Sequence, residues 1–199
     1  MRGAVLAGGA ARRYGGLPKG LEEIGGRRIL DRVADAVAAA TGAPPLLVAN
    51  DPRAPSWRTD LRTVPDVRPG CGSLGGIYSA VLAGPDAVLC VAWDMPFVTP
   101  ELLVALAEGF APWDAFLPES GGRRGVEPLC AVYGPACAPA IERRVARGEL
   151  EAIAFHPDVR IGTLPLERVR RCGDPEVLFF NINRPEDLER AEALWRRRG

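Results

Sequence analysis

G-A-V-L-A-G-G-A-A-R-R-Y-G-G-L-P-K, residues Gly3 to Lys19, is the stretch on which the fold turns. Its first five residues are small and apolar, as a strand buried on both faces requires, and Gly8-Gly9 then release the chain into a loop. Glycines such as Gly8 and Gly9 let backbone N–H groups approach an anion closely, and Arg12, Arg13 and Lys19 bring charge to neutralise it. No acid occurs in residues 1 to 19. Phosphate binding is the reading this loop supports; a plain tight turn is the alternative. Two common phosphate loops do not fit, because there is no G-K-S/T and the glycine spacing is not G-x-G-x-x-G.

Of the 25 basic residues in the chain, Lys19 is the only lysine. An ammonium is a compact charge on a flexible stem and can follow a phosphate that moves and changes charge, where the planar arginine fork would hold one geometry. The position of Lys19 at the end of the loop therefore points to function more than to chance.

Working outward, 199 residues that are 47% hydrophobic suffice for one sizeable core, and a single domain spanning residues 1–199 is expected. Apolar runs are short and Met1 leads directly into a strand-like segment, so neither a membrane span nor a signal peptide is expected and the cytoplasm is the predicted location. The five cysteines form no C-x-x-C pair and read as buried small hydrophobes. His156, the single histidine, sits in the turn-like F-H-P-D and cannot build a His-rich zinc site. A net charge of zero argues against a general nucleic-acid or membrane-surface binder.

Strands alternate with helices along the first half. Residues 46–49, 61–64 and 88–92 read as buried strands, and Ile29 to Ala40 as a helix stopped by Gly42. A helix capped by Ser73 and carrying Leu74, Ile77, Tyr78, Val81 and Leu82 is expected next, then one starting at Thr99-Pro100. Residues 115–118 and 128–133 read as strands flanking a polar hairpin or lid at residues 119–125. A helix over residues 138–147, a strand near 160–164, another strand over Val177–Phe180, and a final helix from Pro185 to Arg198 packing Leu188, Ala191, Leu194 and Trp195 complete the pattern. Such alternation predicts an α/β fold with a mostly parallel sheet covered on both faces and its ligand crevice beyond the strand ends.

Asp94 ends the fourth strand in V-A-W-D-M-P-F, where rigid backbone would hold its carboxylate as a Mg²⁺ ligand with substrate phosphates and water completing the shell. Asp66 has a weaker claim, supported by G-C-G-S-L-G-G after it, which would let a nucleoside lie against main chain. There is no glutamine, and the asparagines are Asn50, Asn181 and Asn183, each after an expected strand. Amides donate and accept at once, which suits a heterocycle edge, although an Asn before R-P-E could equally cap the last helix.

Taken in order, the motifs L-A-G-G-A-A-R-R-Y-G-G-L-P-K-G-L, D-V-R-P-G-C-G-S-L-G-G-I, W-D-M-P-F, E-P-L-C-A-V-Y and F-F-N-I-N-R-P-E-D-L resemble the molybdenum cofactor guanylyltransferases over nearly the whole chain. The resemblance implies a three-layer Rossmann-like nucleotidyltransferase fold with an antiparallel hairpin or edge element, GTP and Mg²⁺ as reactants, and Mo-molybdopterin as acceptor. It also implies that Leu6, Ala7 and Gly8 meet the nucleotide through main chain, Lys19 and Arg13 the phosphates, Asp66 the nucleoside and Asp94 the metal. Asn181 and Asn183 would border the pterin. A transient contact with molybdoenzymes or cofactor-insertion proteins would follow. Tyr14, Ser73, Trp93 and Arg184 depart from the family pattern, and none of them removes a charged group. The rivals are a sister nucleotidyltransferase using CTP or a sugar phosphate, and a nucleotide-binding partner protein without activity.

Overall fold

Alternation of small β-branched residues in the strands with 3.6-period apolar stripes in the helices produces a layered α/β architecture, seen in a computed structural model that describes residues 1–8 and 18–197. In chain order come β1 (Arg2–Leu6), the short hairpin strands β2 (Glu23–Ile24) and β3 (Arg27–Arg28), α1 (Ile29–Thr41), β4 (Leu46–Val48), β5 (Thr63–Val64), α2 (Gly72–Leu82) and β6 (Val88–Ala92). They are followed by α3 (Pro100–Gly109), β7 (Ala115–Pro118), β8 (Cys130–Tyr133), α4 (Cys137–Ala146), β9 (Ile161–Leu164), α5 (Leu166–Cys172), α6 (Pro175–Leu178) and α7 (Pro185–Arg196).

The main sheet has the order β5-β4-β1-β6-β8-β7-β9. All neighbouring pairs are parallel except the two made by β8, which is antiparallel to β6 and β7. The antiparallel element is thus the expected β7–β8 hairpin, with β8 lying inside the sheet. Strand side chains alternate between two cores. Val5, Leu89, Val91 and Val132 pack with α1 and α3, while Ala4, Leu6, Cys90 and Tyr133 pack with α2 and α4. Both faces of β6 are therefore buried, which is why it reads as a continuous apolar run.

Local chemistry explains most boundaries. Gly42 closes α1 in the left-handed region at φ 73°, and its N–H donates to the Ala38 carbonyl at 2.8 Å. Thr99 caps α3 by accepting from the Leu102 N–H at 3.3 Å. Ser73 is not the cap of α2, contrary to expectation: the Cys71 carbonyl takes the Gly75 N–H at 3.2 Å, so Cys71 occupies the cap position and Ser73 lies two residues later, within the first turn.

A second correction concerns Val177–Phe180. This segment is not a strand but the end of α6 and the two residues after it, because Asp174 accepts from the Glu176 N–H at 3.0 Å and Pro175 presets the first helical turn. Asn181 and Asn183 consequently follow a helix. In α7, Ala191 is buried as expected, whereas Trp195 is partly exposed, with the Arg32 guanidinium 3.9 Å over its ring. Cys71 and Cys172 are half-buried rather than buried; the other three cysteines are buried.

The strand order places β1 at a switch point. From β1 the chain first builds outward through β4 and β5, then returns to the other side of β1 with β6. Leu6 is in register with both Val48 and Ala92, so the carboxyl ends of three strands meet on one rim. Crevices for ligands open at such a rim, since the connections leave it in opposite directions.

Candidate active site

A cavity of about 370 Å³ lies at this rim, and its lining includes Leu6, Gly8, Lys19, Asn50, Asp66, Asp94, Asn181 and Asn183. The residues singled out from widely separated sequence motifs are thereby brought together. Ala7 does not line the cavity, and its N–H is already spent on the Val48 carbonyl at 2.8 Å. Gly9 and Arg13, expected at the phosphates, lie outside the described residues.

Asp94 sits two residues beyond β6 and is held from both sides by main chain. The Trp93 N–H donates to the Leu6 carbonyl at 3.1 Å, and the Asp94 carbonyl accepts from the Ile182 N–H at 3.0 Å. The second bond ties the segment carrying Asn181 and Asn183 to the base of the same cavity. Asp94 Oδ2 forms an ion pair with Lys19 Nζ. Its other oxygen, Oδ1, is buried and has no hydrogen-bond partner among the described residues. At 9% exposure such an orphan carboxylate oxygen costs stability unless a ligand compensates it.

Steric fit reinforces the pairing. Gly20, next to Lys19, packs so tightly on the Trp93 indole that an added Cβ would lie 2.2 Å from Trp93 Cε3. Trp93 in turn stacks on Trp57, with centroids 5.3 Å apart and planes at 20°. Residues 19 and 20 thus meet residues 94 and 93 through one ionic and one steric contact.

Asn50 and Asp66 make a second pair. The Asn50 Nδ2 donates to Asp66 Oδ2 at 2.7 Å, and the Asp66 N–H donates to Asn50 Oδ1 at 2.8 Å. Buried Ser79 braces the loop behind them, accepting from the Val67 N–H at 2.9 Å and donating to the Gly75 carbonyl at 2.7 Å. Gly72, Ser73 and Gly76 line the adjoining wall, where the absence of large side chains leaves main chain accessible.

The tail asparagines differ from each other. Asn181 Nδ2 donates to the Phe179 carbonyl at 2.9 Å. Asn183 does not cap α7 through its side chain: Arg184 occupies the cap position, and Asp187 accepts the N–H groups of both Asn183 and Arg184 at 2.9 Å.

Arg124 and Glu127 also line the cavity, and sequence reasoning assigned neither of them a role. Glu127 lies in the quoted E-P-L-C motif, so the signal existed, but its significance depends on the antiparallel pairing of β8 with β6. Burial raises the Glu127 carboxyl above its ordinary range; the Leu129 N–H and Arg124 pull it down, and the charge of Asp94 adds to the rise. His156 is outside the cavity, and burial lowers its pKa to about 4.

Magnesium takes oxygen donors, commonly one or two carboxylates with phosphates and water. The orphan Asp94 Oδ1, at the edge of a cavity that also holds a cation and glycine main chain, fits that donor set. Among the described residues no group of three or more His, Cys, Asp or Glu could hold a metal by itself.

Residues 3–159 match the family described as "MobA-like NTP transferase domain". The chain is 36% identical over 193 residues to the "Probable molybdenum cofactor guanylyltransferase" of Pelotomaculum thermopropionicum, covering 96% of this chain and 92% of that protein. It is 36% identical over 194 residues to the molybdenum cofactor guanylyltransferase of Desulfosudis oleivorans, covering 96% and 94%. Among solved structures, molybdopterin-guanine dinucleotide biosynthesis protein A from Archaeoglobus fulgidus is similar at TM-score 0.83 and 31% identity, covering 99% of this chain and 100% of that one.

Proposed function

We propose, because this chain belongs to the MobA-like NTP transferase domain family, that it transfers GMP from GTP to Mo-molybdopterin, forming molybdopterin guanine dinucleotide cofactor and pyrophosphate. One observation carries the proposal: Lys19, Asp94, Asn50, Asp66, Asn181 and Asn183 share one cavity at the switch point of the sheet.

In this reading a terminal phosphate oxygen of molybdopterin forms a bond to the α-phosphorus of GTP. The bond from that phosphorus to the bridging oxygen breaks, and its electron pair leaves with pyrophosphate. Both reactants are polyanions, so their approach is the main barrier, and the protein lowers it by positioning and charge neutralisation. Lys19, paired with Asp94 before substrate arrives, turns its ammonium to the incoming phosphates with Arg13. Gly8, with Leu6 behind it at the end of β1, presents main chain to the nucleotide, a role that Ala7 and Gly9 share in this reading. Asn50 and Asp66 hold the nucleoside, pre-set by their mutual hydrogen bonds. Asn181 and Asn183 face the acceptor. Asp94 Oδ1 would hold Mg²⁺, which supplies neutralisation of phosphate charge when bound.

The same reading assigns the reaction to the cytoplasm, supported by five free cysteines, which suit a reducing compartment. No helix among the described residues is long and apolar enough to cross a membrane. It also takes residues 1–199 as one domain and allows a transient contact with molybdoenzymes or cofactor-insertion proteins. Pyrophosphate release measured side by side with GTP, CTP and ATP in the presence of Mo-molybdopterin tests the proposal. GTP should be preferred by at least about a hundredfold, because a site that hydrogen-bonds one base edge leaves polar groups unpaired when another base enters. Preference for CTP would instead make the chain a cytidylyltransferase.

A further inference from the structure

We infer that Glu127 is a second carboxylate of the divalent-cation site, facing the orphan oxygen of Asp94. The inference deepens the transferase reading and rests on it.

Main-chain geometry brings Glu127 to Asp94. Val91 is in antiparallel register with Cys130, and the Ala92 N–H donates to the Leu129 carbonyl at 2.7 Å, so the residues just before β8 run alongside those just after β6. The Leu129 N–H then donates to Glu127 Oε1 at 3.1 Å, which folds the glutamate side chain back against its own strand entry. The Glu127 N–H is itself fixed by the Pro118 carbonyl at 3.1 Å. Glu127 and Asp94 line the same cavity, and Asp94 contributes a buried oxygen with no partner among the described residues.

Among the described residues that line the cavity, the charges around this pair are Lys19, already engaged with Asp94 Oδ2, the exposed Arg124, and Asp66. Among these described residues the three carboxylates Asp66, Asp94 and Glu127 exceed the two cations Lys19 and Arg124. A divalent cation between Asp94 and Glu127 converts their repulsion into two attractive contacts. Magnesium is commonly bound by one or two carboxylates plus substrate phosphates, so a second carboxylate would let the cation dock before the nucleotide.

Mn²⁺ alone, titrated into the full chain without nucleotide and followed by loss of the free-ion paramagnetic resonance signal, tests the assignment. Glu127→Gln keeps an acceptor for the Leu129 N–H and should weaken Mn²⁺ binding by about tenfold or more, a loss of roughly 1.4 kcal/mol. Glu127→Asp, which keeps the carboxylate, should recover most of it, and Asp94→Asn should abolish it. Equal Mn²⁺ binding by Glu127→Gln and the unaltered protein overturns the inference, as does absence of saturable binding by the unaltered protein. Pyrophosphate release from GTP, measured on the same preparations, reports the transferase reading separately. Release by the unaltered protein together with Mn²⁺ binding insensitive to Glu127→Gln removes Glu127 alone.

Discussion

The Lys19–Asp94 pair is ionic, largely buried and leaves one oxygen without a partner among the described residues, whereas the Asn50–Asp66 pair in the same cavity is more open and closed by two reciprocal hydrogen bonds. The difference separates two tasks. Such a buried carboxylate oxygen is a standing cost that a bound cation would relieve, which suits the first pair to charge that arrives and departs. The second pair is held by its own reciprocal hydrogen bonds before any ligand binds, which suits recognition of a nucleoside. Loss of the first should therefore fall on the rate of transfer, and loss of the second on binding.

The largest expected effect follows from removing the ionic pair. Asp94→Ala should lower guanylyl transfer on the order of a thousandfold, and Lys19→Ala on the order of a hundredfold, because each removes charge complementarity to the reacting phosphates. Circular dichroism should remain that of the unaltered fold. Wild-type-like turnover by either variant would strike that residue from the mechanism.

Gly20→Ala attacks the same pair sterically without touching a charge. The new Cβ would press on the Trp93 ring, so the Lys19 turn must shift, and kcat should fall roughly tenfold or more while the GTP KM changes little. A raised KM with unchanged kcat would mean that the contact serves nucleotide binding instead.

Asn50→Ala breaks the reciprocal pair. The expected result is a GTP KM raised by about tenfold with kcat nearly intact, the pattern of lost uniform binding. A collapse of kcat would blur the distinction between the two pairs.

The smallest effect lies outside both. His156 is held neutral by burial, with its pKa near 4 instead of 6.5. Between these values the unfolded chain accepts a proton that the folded chain refuses. Stability present above about pH 6.5 is therefore lost progressively as pH falls toward 4. His156→Phe should flatten the melting-temperature profile over that window and leave pyrophosphate release at neutral pH unchanged; a persistent slope would assign it to other groups.

Much of this arrangement was legible where the governing interactions are local. The small apolar run of β1, the Thr99-Pro100 start of α3 and the Gly42 stop of α1 each follow from side-chain chemistry within a few residues. Val177–Phe180 misled because its apolar residues resemble a buried strand, while the deciding cap, Asp174 with Pro175, stands just before them. Ser73 misled for the converse reason, since a good capping side chain stood two residues past Cys71, inside the first turn of the helix that Cys71 opens. At the site, Lys19, Asp94 and Asn50 stood out by rarity or by their place at a strand end. Glu127 did not, because only the nonlocal register of β6 with β8 brings it to Asp94.

A crystal structure with GTP and Mg²⁺ bound tests the central claim most directly. Triphosphate oxygens are expected on Lys19 Nζ, the metal on Asp94 Oδ1, and guanine against Asn50 and Asp66. A nucleotide bound with its base on the Lys19–Asp94 side, or in another cavity altogether, would contradict it.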